Sequence, residues 1–218
     1  IYCSQAVSSS DATWISVGSI LSSLYPVQSG ITRFSNHEKA AKIFDFMKEN
    51  GYNTFATVKD TVFFQTLTSK LDGKDLFPVD NGFTFSDFGN VGKTVIDRLE
   101  SEDFKEPWFH YIHLMDLHRN LDYPLPEQYK DEKFGDNDYE RMVSGIDFWI
   151  GKILDKINLD NTLVILTSDH GDFLPTEKIG HEMNYIPTLV DNARKIKKHT
   201  PESIQPFGLK VFVALRSF

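Results

Sequence analysis

The stretch Thr162-Leu-Val-Ile-Leu-Thr-Ser-Asp-His-Gly-Asp172 limits the folds open to this chain more than any other. Its apolar, largely β-branched run, Leu163 to Leu166, predicts a strand buried on both faces, which is the signature of a parallel sheet with helices on either side. The run ends in compact polar residues, Thr167 to Gly171, and ligands in open α/β sheets gather just beyond the carboxyl ends of strands. Asp169 and His170 there pair a carboxylate oxygen with an imidazole nitrogen, a common half-site for a divalent metal such as zinc or manganese. On this stretch alone a second reading stands beside it: a turn whose Asp bonds nearby backbone amides.

The rest of the chain supplies the helices such a sheet needs. Thr13 to Leu24 carries Trp14, Val17 and Leu21 at spacings of three and four, with Ile20 and Leu24 widening the stripe before Tyr25-Pro26 closes the helix. Thr13 at its start has two readings: a hydroxyl facing an anion site at the positive end of the helix, or a plain capping threonine. Ser35-Asn-His-Glu38 reads as a capping box opening a helix with Ala40, Ile43, Phe44 and Met47 inward, ended by Gly51. Asn53 to Val58 follows as a strand. Residues 59–90, rich in Phe without clean periodicity, read as an irregular excursion, and Val91 to Leu99 as a short helix.

Glu106 to Leu114 predicts a second buried strand, ending in the polar residues His113, Asp116, His118 and Arg119. His113 lies inside the apolar run and reads as a structural histidine, whereas His118 sits at the tip. Pro124, Pro126 and Gly135 mark a surface loop. Asn137 to Ile157 is the longest predicted helix, with a wide apolar stripe from Met142 to Ile157 that leads directly into the Leu163 strand. Arg194 to His199 reads as a solvated charged face, and Val211 to Leu215 as a final strand. No repeat or linker divides the chain, so residues 1–218 are expected to form a single domain.

Composition narrows the partners. Of 218 residues, 31 are acidic and 23 basic, a formal net charge of −8, which argues against a nucleic-acid or anionic-membrane surface. The single cysteine, Cys3, cannot form an internal disulfide. No apolar run reaches the ~20 residues a membrane helix needs, and no signal peptide is evident at residues 1–20. A soluble chain is expected, with compartment and oligomeric state open.

Assembled, these stretches resemble the sulfatase family of the alkaline-phosphatase superfamily. Thr13-Trp-Ile-Ser16 through Ser19 to Pro26 and Gly30 is similar to the family's nucleophile helix, where Cys, Ser or Thr opens a helix closing in a Thr-Gly-x-Tyr-Pro-like turn. Phe109 to His118 is similar to the family's strand ending in a His that contacts the substrate anion, and Asp160 to Gly171 to its metal-binding strand. The resemblance implies an α/β fold with a mostly parallel central sheet flanked by helices. It implies Thr13 as nucleophile beside a metal held by Asp169, His170 and Thr13, with His118 and His181 binding the non-bridging oxygens of the transferred group. His181 lies close to where the family's lipid A and teichoic-acid-type transferases place a second active-site His.

Departures from the pattern sharpen the expectation. Sulfatases proper carry a Cys converted to formylglycine within Cys-x-Pro-x-Arg; here Thr13 takes that place and Ile15 and Val17 the later ones, which favours phosphate over sulfate esters. His170 in place of the Asn of calcium-binding sulfatases points the same way, towards Zn or Mn ahead of Mg or Ca. Leu117 and Asn120 stand where the second motif often has Pro. The family's first strand, whose Asp or Glu completes the metal site, and its C-terminal subdomain are not found in residues 1–218, so a partial catalytic domain is expected. The expected activity is metal-dependent hydrolysis of a small-molecule, glycan or lipid-headgroup ester. A phosphotransferase and a catalytically degenerate binding domain are the alternatives.

Overall fold

A computed structural model describes residues 4–32, 35, 37–77, 90–117 and 125–171. The chain divides into two compact units, residues 1–172 and 173–218, and every described residue belongs to the first. That unit is α/β. Its sheet has three parallel strands in the order β2–β1–β3: β1 (Asn53–Lys59) in the centre, β2 (Gly73–Phe77) and β3 (Trp108–Ile112) beside it. Phe55 stands opposite Gly73 on one side and His110 on the other, and the β3 pairing runs one residue further as the His113 amide donates to the Thr57 carbonyl.

Alternation along β1 gives the sheet two working faces. Ala56 and Val58 point to a core shared with Val17 and Leu21 of α1 (Thr13–Ser22), Phe44 of α3 (Lys42–Glu49) and Phe63, Phe64 and Leu67 of α4 (Val62–Leu67). The β3 rings Phe109 and Tyr111 meet Phe44 edge-on across this face. Phe55, Thr57 and His110 face the other way, towards α5 (Asn90–Leu99), whose Arg98 makes a two-pronged pair with Asp75 of β2. Thr57 Oγ1 lies 2.9 Å from His110 Nε2, so the centre of this second face is polar as well as aromatic.

Local sequence explains the boundaries. Ser23 adopts a left-handed φ of 56° to stop α1, and Pro26 opens the short α2 (Pro26–Ser29). Gly51 ends α3 with a φ of 83°, which a side chain would resist, while the Tyr52 amide reaches back to the Met47 carbonyl. Helix α6 (Asp138–Leu154) starts from a full capping arrangement: Asn137 accepts from the Glu140 amide, and Glu140 accepts from the Asp136 amide and the Asn137 side chain.

Two expectations fail. Residues 59–77 are ordered, not irregular: α4 and β2 lie within them, because a Thr61 cap and three buried aromatic or aliphatic side chains outweigh the lack of clean periodicity. The run Leu163–Leu166 is not a strand among the described residues. Its four side chains are 85%, 46%, 77% and 73% exposed, and no ladder hydrogen bonds join it to the sheet. An apolar run becomes a buried strand only where neighbours supply a ladder on its edges and cover on its faces, and no described strand pairs with it or with the outer edge of β3. The final predicted strand, Val211 to Leu215, and the basic segment 194–199 lie outside the described residues.

Candidate active site

Helix α1 aims its first residue with unusual local chemistry. The N-cap is Ala12, whose carbonyl takes the amides of Ile15 and Ser16 but whose side chain caps nothing. Thr13 is therefore the first helical residue and not the capping one. Its hydroxyl oxygen Oγ1 lies 3.2 Å from Nε2 of His170. The two residues are 157 positions apart in sequence, so this approach is a product of tertiary folding.

The His170 ring is held from its other side. Nδ1 lies 2.7 Å from the Gly171 carbonyl, which can only accept, so Nδ1 carries the hydrogen. In the neutral ring Nε2 then presents a lone pair towards Thr13, and the Thr13 hydroxyl donates to it. Asp169 adds a third donor, a carboxylate oxygen: Oδ1 accepts the His170 amide at 3.0 Å, while Oδ2 lies 3.5 Å from His170 Nε2. Asp169 Oδ2 is buried and has no hydrogen-bond partner among the described residues. A buried carboxylate oxygen without a donor is costly unless a cation meets it.

Thr13 Oγ1, His170 Nε2 and Asp169 Oδ2 thus form a hydroxyl, imidazole and carboxylate donor set of the kind that zinc and manganese accept. Two of these three belong to residue types that ordinarily anchor metals; no cluster of three or more His, Cys, Asp or Glu is present among the described residues. A divalent ion held by these three atoms would need further ligands to complete its shell.

Tyr111 lies near enough to Asp169 to feel its charge, and residue type and spacing do not single it out. It is partly buried on β3 against the core, and loss of solvent first, with the nearby Asp169 charge second, pushes its hydroxyl far above the usual phenol range. The hydroxyl stays protonated and lies 2.9 Å from Nδ1 of His113. The only sequence signal was its place two residues before a histidine on a strand. His113, expected to be structural, is bonded in this way and also packs against Phe64. His118 and His181 lie outside the described residues.

Comparison with known proteins identifies the family. A family profile described as Sulfatase matches residues 1–202. The chain is 28% identical over 140 residues to an uncharacterized protein of Haemophilus influenzae, a match covering 63% of this chain and 20% of the relative. The chain thus spans about a fifth of the length of that curated relative. No solved structure matches it significantly. No described helix is long and apolar enough to cross a membrane. With the profile covering nearly all of the chain and a parallel α/β sheet beneath it, this protein belongs to the sulfatase family, whose members are hydrolases or transferases of the alkaline-phosphatase superfamily and generally use a divalent metal.

Proposed function

We propose that this chain carries the catalytic centre of a metal-dependent phosphoesterase that works through a covalent phosphothreonine at Thr13. The observation that carries the reading is the 3.2 Å approach of Thr13 Oγ1 to His170 Nε2 across the length of the described chain. A divalent ion, Zn or Mn ahead of Mg or Ca, would be held by Asp169, His170 and Thr13, and supplies the activation that a threonine hydroxyl lacks in water. Thr13 Oγ attacks phosphorus as the ester P–O bond breaks; the alcohol leaves with a proton, and water then releases phosphate from Thr13. Helix α1 contributes its positive dipole end to the anion at its mouth. His118 and His181 are assigned, from the family pattern alone, to the non-bridging oxygens, where cationic donors stabilise growing charge.

Phosphate is preferred to sulfate because Thr13 replaces the cysteine from which formylglycine is made and His170 replaces asparagine. The substrate is a small-molecule, glycan or lipid-headgroup ester, and transfer to an acceptor alcohol in place of water would use the same centre. Thr13→Ala is expected to abolish turnover of p-nitrophenyl phosphate while thermal unfolding stays within a few degrees of the parent. Turnover retained in Thr13→Ala removes Thr13 from the chemistry, and p-nitrophenyl sulfate hydrolysed faster than the phosphate reverses the ester assignment. A binding-only domain is the second reading, favoured by the two metal-anchoring residue types at the described centre; a chain that takes up no Mn2+ or Zn2+ on titration supports it.

A further inference from the structure

The segment leading to Thr13 is mostly exposed from Ser4 to Asp11, and the N-cap side chain of α1 contributes no hydrogen bond. Something else must therefore fix the angle at which residue 13 enters the helix. Ser16, one turn further on, is only 1% exposed, unusual for a hydroxyl residue near a helix start. Its Oγ donates backwards to the Ser10 carbonyl at 2.9 Å. Ser10 in turn accepts the Ala12 amide on its own hydroxyl at 3.2 Å, closing a small turn whose next residue is Thr13. On the following turn Gly18 packs so closely on Ile31 that a Cβ would sit 3.0 Å from two Ile31 carbons, which pins α1 against its neighbour.

From this arrangement we infer that Ser16 is the positioning residue for the nucleophile: its buried hydroxyl ties the Ser10–Ala12 turn to α1 and so aims the Thr13 hydroxyl at His170. The inference rests on Thr13 being the nucleophile and a metal ligand. Ser16 touches neither substrate nor ion and acts only through residues 10–13. Without its hydroxyl, the turn keeps the Ser10–Ala12 bond but loses its tie to the helix interior, and Thr13 gains freedom to swing from His170. Misplacement of a reacting atom by about an ångström costs on the order of a hundredfold in rate.

The test uses the full chain, p-nitrophenyl phosphate and Mn2+ alone as probes. Ser16→Ala is expected to lower kcat about 10- to 100-fold with KM nearly unchanged, and to weaken Mn2+ binding about 10-fold, as loss of an orienting partner behind a metal ligand does. The Ser16→Ala change is expected to have no effect on Mn2+ affinity in the Thr13→Ala background, because there is no hydroxyl left to aim. A merely structural serine would weaken Mn2+ binding equally in both backgrounds, and that result overturns the inference. So does wild-type kcat and Mn2+ affinity in Ser16→Ala. If Thr13→Ala is inactive while Ser16→Ala is unimpaired, only the positioning role falls; if the unmodified chain binds no Mn2+ and hydrolyses neither phosphate nor sulfate ester, both readings fall.

Discussion

At the scale of single residues, burial sorts the histidines by role. His170 keeps a nitrogen free for Thr13, His113 is engaged by Tyr111, and His110 is enclosed on the α5 side of the sheet with Nε2 on Thr57 and Nδ1 without a hydrogen-bond partner among the described residues. Burial, reinforced by the Arg98 charge and opposed by Asp75, drives the His110 pKa down from 6.5 to about 4. Above pH 6.5 the ring is neutral in both folded and unfolded chains and contributes no pH dependence. Between pH 6.5 and about 4 the unfolded chain takes up a proton that the folded one refuses, so stability falls as pH falls, by up to about 1.4 kcal/mol per unit. Denaturant unfolding followed across that window is expected to show this loss, and His110→Phe to flatten the histidine's share of it. An unchanged slope in His110→Phe would mean that other groups carry the acid sensitivity. This histidine's neutrality is not legible in sequence, since it depends on a partner 53 residues away, and the Thr13–His170 approach across 157 residues follows only from the family resemblance, not from local pattern. What sequence did carry was residue type: a threonine opening a helix, and an aspartate and histidine together after an apolar run.

At the scale of elements, legibility followed the strength of local punctuation. The expected helix from Thr13 appears as α1, the strand from Asn53 as β1 and the long helix after Asn137 as α6, each marked by a cap, a glycine or a sustained stripe. Helix α4 and strand β2 were illegible because their signal lies in tertiary burial: Phe63, Phe64 and Leu67 are all core residues although α4 spans only 6 positions. The α5–α6 contact shows how one missing side chain sets an interface. A Cβ on Gly92 would run into the Trp149 indole of α6, so glycine there lets the two helices approach. Gly92→Ala raises helix propensity yet is expected to destabilise by about 1–3 kcal/mol through overpacking, measurable as a lower denaturant midpoint with unchanged slope. A stability gain would show instead that the indole moves aside freely and that this contact is not a constraint.

At the scale of the whole described unit, a parallel sheet of three strands carries two layers of helices, and the candidate centre is assembled from its two sequence extremes. Residue 13 enters from the first helix and residues 169 and 170 from the last described segment, and Tyr111 of β3 lies near enough to Asp169 to feel its charge. The apolar run before Asp169 was the strongest sequence signal for a buried strand and is the element the described structure leaves exposed, because periodicity specifies what a segment can bury and not whether a partner is there to bury it. The polar tip of that run nevertheless meets Thr13. The central claim is that Thr13 becomes covalently phosphorylated at this centre. Its most direct test is to quench the Mn2+-loaded chain in acid during turnover of p-nitrophenyl phosphate and locate the modification by peptide mass spectrometry. One phosphoryl group on Thr13, absent in Thr13→Ala, is the expected result; steady turnover with Thr13 unmodified, or with the label on another residue, would contradict it.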